Sequence, residues 1–380
     1  MKTAIENAHV VLENGIIRNG VIITDDGIIK EFGTKKEVSI PDDAQCIDVC
    51  GAYVGPGFVD IHVHGGGGYN VWDNPKKVAA FLLSHGETSI LPSPPYELNC
   101  EEYVCAAKTI GLAMKECPSI KGMYMEGPYI NVKYGAYAHI NPWRHPISKD
   151  DYAKIVDEAG KDAKVWVVAP EREGITEFMD YARKVNPDVV FAIGHSEATP
   201  IQIRKLGKFR PKILTHAMNA TGRGDVPLGT RGYGPDEYCL KESEMYAELI
   251  SDSCSIHVHS ELQQLILHCK GVEKVILITD NIHNATPTPK EFAHIDDLNF
   301  DDCGSLSGSR LTMDQACRNI MCSTNCGIAQ AFLMASTNPA KAIAMDAEIG
   351  SIDIGKRADL VFVDDWFNVK KVMIGGSFIK

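Results

Sequence analysis

Eight short apolar runs, each followed by a stretch with helical spacing, dominate the middle of this chain. They cover residues 58–64, 88–92, 121–126, 164–169, 189–195, 212–216, 248–252 and 274–280. Most are apolar throughout, as strands are when both faces are covered. Segments at 75–84, 101–116, 148–159, 174–185, 199–206 and 260–270 carry the apolar spacing of amphipathic helices. Parallel strands need crossover connections, and eight strand–helix units predict a (β/α)₈ TIM-like barrel. The competing open, doubly wound sheet carries Gly-x-Gly-x-x-Gly after its first strand, and no such motif follows residue 64.

The two ends differ in character. Runs at 21–24 and 28–32 flank Asp25-Asp26-Gly27, a hairpin signal, and the tail has β-like runs at 358–363 and 369–374. Neither end can bury a core alone. Residues 1–54 and 348–380 are therefore expected to pair into one small, discontinuous β-sandwich beside a barrel at 55–347.

Composition narrows the function. With 380 residues, 44% hydrophobic and 23% charged, the chain has room for a barrel and a satellite unit. No run approaches the roughly 18 apolar residues of a membrane helix. The N-terminus lacks an apolar signal core, and the 12 cysteines include no Cys-x-x-Cys pair. A cytoplasmic protein with reduced thiols is expected. The net charge of −12 argues against nucleic-acid or membrane partners, and an anionic small molecule would need a local cluster of donors.

The chemistry sits at the strand ends. His62 and His64 alternate with apolar residues, so a strand points both imidazoles the same way. Glu126, His195, His216 and Asp280 end four further runs. One histidine ending a strand is usually a hydrogen-bonded core residue. Four histidines and two acids converging on one barrel rim call for a divalent metal, Zn²⁺ or Fe²⁺. Such an ion turns bound water into hydroxide near neutral pH. Asp280 is then placed to take the water proton and pass it to a leaving nitrogen. This equipment hydrolyses an amide.

The same residues resemble the amidohydrolase superfamily. Within it, Met-Glu-Gly-Pro-Tyr at 125–129, His195-Ser196, Thr215-His216 with Asn219-Ala220, and Leu306-Ser307-Gly308-Ser309 resemble the N-acetylglucosamine-6-phosphate deacetylase family. The fourth run ends Val167-Val168-Ala169-Pro170, without the metal-bridging lysine of dihydroorotase-like relatives. The resemblance implies that Glu126, His195 and His216 hold one ion. It implies that His62 and His64 add a second, with Glu126 bridging. It gives Asp280 the catalytic role, and gives substrate contacts to His139, Asn219, the Ala220 N–H and His257. It also implies a homodimer acting on a small amino-sugar phosphate.

The substrate loops depart from the family pattern. Its phosphate-binding Arg-x-Pro-Gly is absent. Arg231 keeps the family's spacing to Asp252 and is the expected phosphate ligand, with Arg223 as the alternative. The segments 133–139 and 252–257 are lengthened, and Arg310 offers a further anion contact. Alternatives are therefore N-acetylgalactosamine 6-phosphate, an unphosphorylated amino sugar, an N-acyl amino acid or cyclic amide, and an inactive scaffold.

Overall fold

The computed structural model describes residues 2–224, 227 and 229–379. Its centre is a set of parallel strands with helices packed outside. Strand β1 (Phe58–Val63) pairs with β2 (Glu87–Pro92). Strands β3 (Met123–Met125), β4 (Ala163–Val168), β5 (Val190–Ile193), β6 (Ile213–Leu214), β7 (Tyr246–Leu249) and β8 (Val275–Leu277) form a six-stranded sheet in chain order. Backbone hydrogen bonds link the two sheets at both edges. Ile90 N–H donates to Ser119 O and Lys121 N–H to Ile90 O, beside β3. Asp280 N–H, beyond β8, donates to His62 O.

Each strand leads to a helix. These are α1 (Pro75–Ser84), α2 (Cys100–Met114), α3 (Lys149–Ala159), α4 (Ile175–Val185), α5 (Pro200–Lys205), α6 (Pro235–Lys241), α7 (Ser260–Lys270) and α8 (Met313–Thr324). Local sequence explains several starts. Asn99 accepts from the N–H groups of Glu101 and Glu102 while Glu102 bonds back to Asn99 N–H, a capping box that opens α2. Thr199 and Gln202 do the same for α5.

The strands are shorter than the apolar runs that mark them, and the reason bears on the site. Run 189–195 becomes β5 ending at Ile193, run 212–216 becomes β6 ending at Leu214, and run 274–280 becomes β8 ending at Leu277. The residues beyond leave the extended conformation: His195, His216 and Asp280 have φ of 45°, 28° and 48°. That left-handed region is unusual for side chains with a Cβ. The polar groups expected at strand ends therefore stand on sharp turns just past them.

Both chain ends enter one sheet. Its order runs Ser377–Phe378, Val369–Ile374, Leu360–Val363, Tyr53–Pro56, Thr3–Leu12, Gly15–Asp25, Ile28–Thr34, with Gln45–Asp48 also paired to Thr3–Leu12. The Asp26-Gly27 turn has φ of 49° and 77°, the positive pair that a two-residue type I′ hairpin requires. Only Gly57 separates the strand Tyr53–Pro56 from β1, so the sheet abuts the parallel strands without a linker. Phe58 of β1, Phe332 and Phe367 of the tail form a buried aromatic cluster, with ring centroids 5.1–6.3 Å apart.

Close approach of three strands beside the site depends on Gly194. A Cβ there would lie 2.7 Å from Thr215 Cβ and 2.8 Å from Val167 Cγ1. Gly194→Ala should therefore cost about 1–3 kcal/mol of stability through overpacking. Urea denaturation will read this as a lowered midpoint at unchanged slope.

Candidate active site

Five strand ends deliver six polar side chains to one buried point. Two groups have all their ligand atoms within 4.8 Å of one another: His62, His64 and Glu126, and Glu126, His195 and His216. The Glu126 carboxylate is common to both. Its Oε1 lies 2.8 Å from His195 Nε2, 3.2 Å from His216 Nε2 and 3.5 Å from His62 Nε2. Its Oε2 lies 3.1 Å from His64 Nε2. Asp280 Oδ1 completes the set, 3.3 Å from His64 Nε2 and 3.8 Å from His62 Nε2.

The spacing fits a divalent cation. Two nitrogens bound to one tetrahedral ion at about 2.0–2.1 Å lie about 3.3 Å apart. The Nε2 atoms of His62 and His64 are 3.3 Å apart, and those of His195 and His216 are 3.0 Å apart. Facing lone pairs at that distance repel unless a proton or a metal ion stands between them. The opposite ring nitrogens support this orientation. His64 Nδ1 faces Ser93 O at 2.8 Å and His216 Nδ1 faces Asn219 O at 3.1 Å. Each then carries its N–H toward that carbonyl, which leaves Nε2 to take either a proton or a metal ion at the centre. His195 Nδ1 is buried with no hydrogen-bond partner among the described residues.

The electrostatics point the same way. Burial alone would raise the Glu126 carboxyl, but His62 and His195 outweigh it and hold the group well below the usual carboxylate range. Burial alone would neutralise His64, but Asp280 and Glu126 lift its pKa to about 9. His62 is raised well above 6.5 against burial by Glu126 and Asp280. Burial prevails at His195 and lowers it, despite Glu126. The carboxylates thus demand positive charge, which either protons or a divalent ion can supply.

Supporting residues include several that sequence reasoning missed. Glu248 is fully buried in β7. Its Oε2 lies 3.4 Å from His62 Nδ1, accepts from Tyr124 O–H at 3.1 Å and accepts from His216 N–H at 3.4 Å. Tyr124 also meets Thr215 Oγ1 at 2.8 Å and stacks on His62 with centroids 4.2 Å apart. A glutamate inside an otherwise apolar strand was the available signal. Glu97, in the loop after β2, lines the cleft beside His64, Glu126 and Asp280. Burial pushes its carboxyl up to about 7.

The expected substrate residues divide. Asn219 and Ala220 line the cleft. The others lie elsewhere. His139 is exposed, with Nε2 3.5 Å from Asp302 Oδ2 and Nδ1 3.8 Å from Cys303 Sγ. The longer 133–139 segment carries it outward, because Tyr137 N–H is held by Asp301 Oδ2 at 3.0 Å, and Gly135 and Ala136 face the cleft instead. His257 is buried, but its Nδ1 faces Asp252 Oδ2 at 3.1 Å and its Nε2 faces Gly308 O at 3.1 Å. Both nitrogens are engaged within the protein. Arg231 is exposed and pairs with Glu237 at 3.7 Å, while the Arg223 guanidinium donates to Arg231 O. Residues 225, 226 and 228 of this segment lie outside the described residues. Arg310 donates to Asn299 Oδ1 at 2.8 Å. Among the described residues, no lysine or arginine lines the cleft.

Known proteins share this arrangement of chain. Residues 53–379 match the model of the amidohydrolase family. The N-acetylglucosamine-6-phosphate deacetylase of Bacillus subtilis is 27% identical, over 94% of this chain and 92% of its own. The N-acetylgalactosamine-6-phosphate deacetylase of Escherichia coli O157:H7 is 29% identical, over 85% of this chain and 86% of its own. The crystal structure of N-acetylglucosamine-6-phosphate deacetylase from Thermotoga maritima superposes with a TM-score of 0.83 at 25% identity, covering 100% of this chain and 99% of that one.

If Glu248 orients His62, Glu248→Gln should weaken divalent-metal affinity about 10–100-fold. Competition against a chelator, with circular dichroism unchanged, will measure it.

Proposed function

The chain belongs to the amidohydrolase family, and from that premise we propose that it removes the N-acetyl group of an amino-sugar 6-phosphate. N-acetylglucosamine 6-phosphate is the first choice of substrate, and acetate and the free amino sugar phosphate are the products. The observation that carries this reading is the Glu126 carboxylate shared by two imidazole pairs, with Asp280 beside it. Relatives matched over most of their length are amino-sugar phosphate deacetylases by name.

Five residues would hold the metal: His62, His64, Glu126, His195 and His216, arranged for two ions of Zn²⁺ or Fe²⁺. A bound divalent ion lowers the pKa of water from about 15.7 toward about 7 and polarises a carbonyl oxygen. Asp280 accepts the proton of the attacking water as the new C–O bond forms. It then returns that proton to the nitrogen as the C–N bond breaks. Burial of the surrounding groups excludes bulk water from this transfer. Asn219 and the Ala220 N–H hold the sugar from the cleft wall. The phosphate is assigned to Arg231, with Arg223 beside it, in a homodimer whose interface includes this exposed segment.

The architecture is read to match. We read residues 55–347 as an eight-stranded barrel closed through the two linking seams, and 1–54 with 348–380 as a small β unit whose strands share one sheet with Tyr53–Pro56. No helix among the described residues is long and apolar enough to cross a membrane. We place the enzyme in the cytoplasm. One observation favours a second reading: a cleft lined by no lysine or arginine among the described residues suits an unphosphorylated N-acetyl amino sugar.

Chelation should abolish deacetylation, and Zn²⁺ or Fe²⁺ should restore it. Asp280→Asn should lower kcat about 10²–10⁴-fold with metal retained. Acetate release will be compared for N-acetylglucosamine 6-phosphate, its galacto isomer and the unphosphorylated sugar. Arg231→Ala should raise KM for phosphorylated sugars about 10–100-fold and leave the unphosphorylated sugar unaffected. Equal rates on all three sugars would favour the second reading.

A further inference from the structure

We propose that a basic cavity at the far end of the parallel strands binds a small polyphosphate anion. This site lies where β4, β5 and β6 begin, whereas the residues that would hold the metal lie at or just past the opposite ends of their strands. The two share no lining residue. The inference is independent of the deacetylase reading.

The cavity measures about 510 Å³. Ligand pockets typically span about 300–1,000 Å³. Its lining includes Lys161, Lys164, Arg183, Arg210 and Lys212, against one acid, Asp188. The whole chain has 50 acidic and 38 basic residues, so this balance is local and reversed. Elsewhere, lysines on this surface pair readily, as Lys208 does with Asp180 at 2.7 Å and Lys133 with Glu197 at 2.6 Å. None of the five cavity cations forms an ion pair among the described residues.

Solvated lysines on a rim would explain single members of the set, but not how the set is held. Lys164 lies within β4. Lys212 precedes β6, with its N–H donating to Phe191 O and its carbonyl accepting from Tyr246 N–H. The Arg183 guanidinium lies over Phe191 and Phe209, 5.2 and 5.8 Å from their centroids, and donates to Phe209 O at 3.0 Å. Its Nε is buried without an acceptor among the described residues. Arg210 occupies φ 48°, a left-handed conformation that an ordinary side chain adopts only when the surroundings impose it. An aromatic stack thus holds the Arg183 guanidinium, and strand starts and a left-handed turn set the backbone from which Lys164, Arg210 and Lys212 project, with no anion paired to them among the described residues.

The charge count identifies the occupant. Five cations in one cavity exceed what a single phosphate can neutralise, and they suit a chain of phosphates. A long nucleic acid would meet the repulsion of a net −12 surface beyond the cavity. Nucleoside triphosphates and inorganic polyphosphate share the required chemistry.

Calorimetric titrations of the metal-loaded full chain with inorganic tripolyphosphate, ATP and inorganic phosphate will test this. The wild type should bind tripolyphosphate or ATP, more weakly as salt rises, and inorganic phosphate far less. Binding of ATP alone would identify a nucleotide, and of tripolyphosphate alone an inorganic chain. Lys161→Gln/Lys164→Gln/Arg210→Gln/Lys212→Gln should lose more than about a hundredfold in affinity, with kcat/KM for deacetylation unchanged. Chelation of the active-site metal by the probes would persist in that variant and is thereby separated. Should the fourfold variant not fold, Lys212→Gln and Arg210→Gln alone should each weaken binding about tenfold. Absence of binding, equal affinity for inorganic phosphate, or affinity undiminished in the variants would overturn the proposal.

Discussion

The Glu126 carboxylate is the constraint around which this fold is arranged. It is buried among four imidazoles, with Asp280 and Glu248 close by. Three carboxylates taken out of water repel one another and lose hydration, a cost of several kcal/mol per charge. Only positive charge at the centre offsets it. In the absence of metal the histidines must carry it, which is why His62 and His64 titrate so far above their ordinary range. A divalent cation does the same without protons and with better geometry. Metal affinity and the stability of the strand ends are therefore one quantity seen from two sides.

The backbone contributes by accepting strain there. His195, His216 and Asp280 occupy left-handed conformations that cost about 1–3 kcal/mol each. Neighbouring hydrogen bonds hold each turn in place. Asn131 N–H donates to His195 O, Ala217 N–H to Glu248 O and Asp280 N–H to His62 O. The last of these also joins β8 to β1, so the bond that links the sheet edges positions Asp280. Glu248 plays a similar double part: its backbone carbonyl fixes the turn after His216, and its carboxylate faces His62.

Residues on strand ends were legible in the sequence because period-two alternation and apolar runs determine their direction. His62, His64, Glu126, His195, His216 and Asp280 are brought together as that pattern implied. Glu248 and Tyr124 were equally readable in kind, as polar atoms inside buried strands, yet their partners lie on other strands. Only the three-dimensional arrangement of the strands shows that they meet His62. The loop residues were not legible. His139 and Arg231 depend on where inserted segments dock, and that is decided by distant groups, Asp301 for one and Glu237 for the other. His257 was placed correctly after its strand, but its ring is taken up by Asp252 and Gly308.

This division between strand ends and loops has a consequence for specificity. In the proposed reaction the ionic centre and Asp280 stand on strand ends and on the turns just past them. The cleft wall is completed by loops, from which Tyr96, Glu97, Gly135, Ala136, Asn219 and Ala220 line it. Glu97 shows the result: a carboxyl at the cleft wall, fixed in place because Tyr96 O–H bonds Ala136 O at 3.1 Å and Tyr103 O–H bonds Pro94 O at 3.2 Å. With its pKa raised to about 7, that carboxyl donates a hydrogen bond when protonated and accepts one when ionised, which suits a sugar hydroxyl. In the proposed deacetylase reading the substrate phosphate points toward the 219–234 segment, where Arg223 and Arg231 stand, so the docking of that loop sets how far the phosphate lies from the amide.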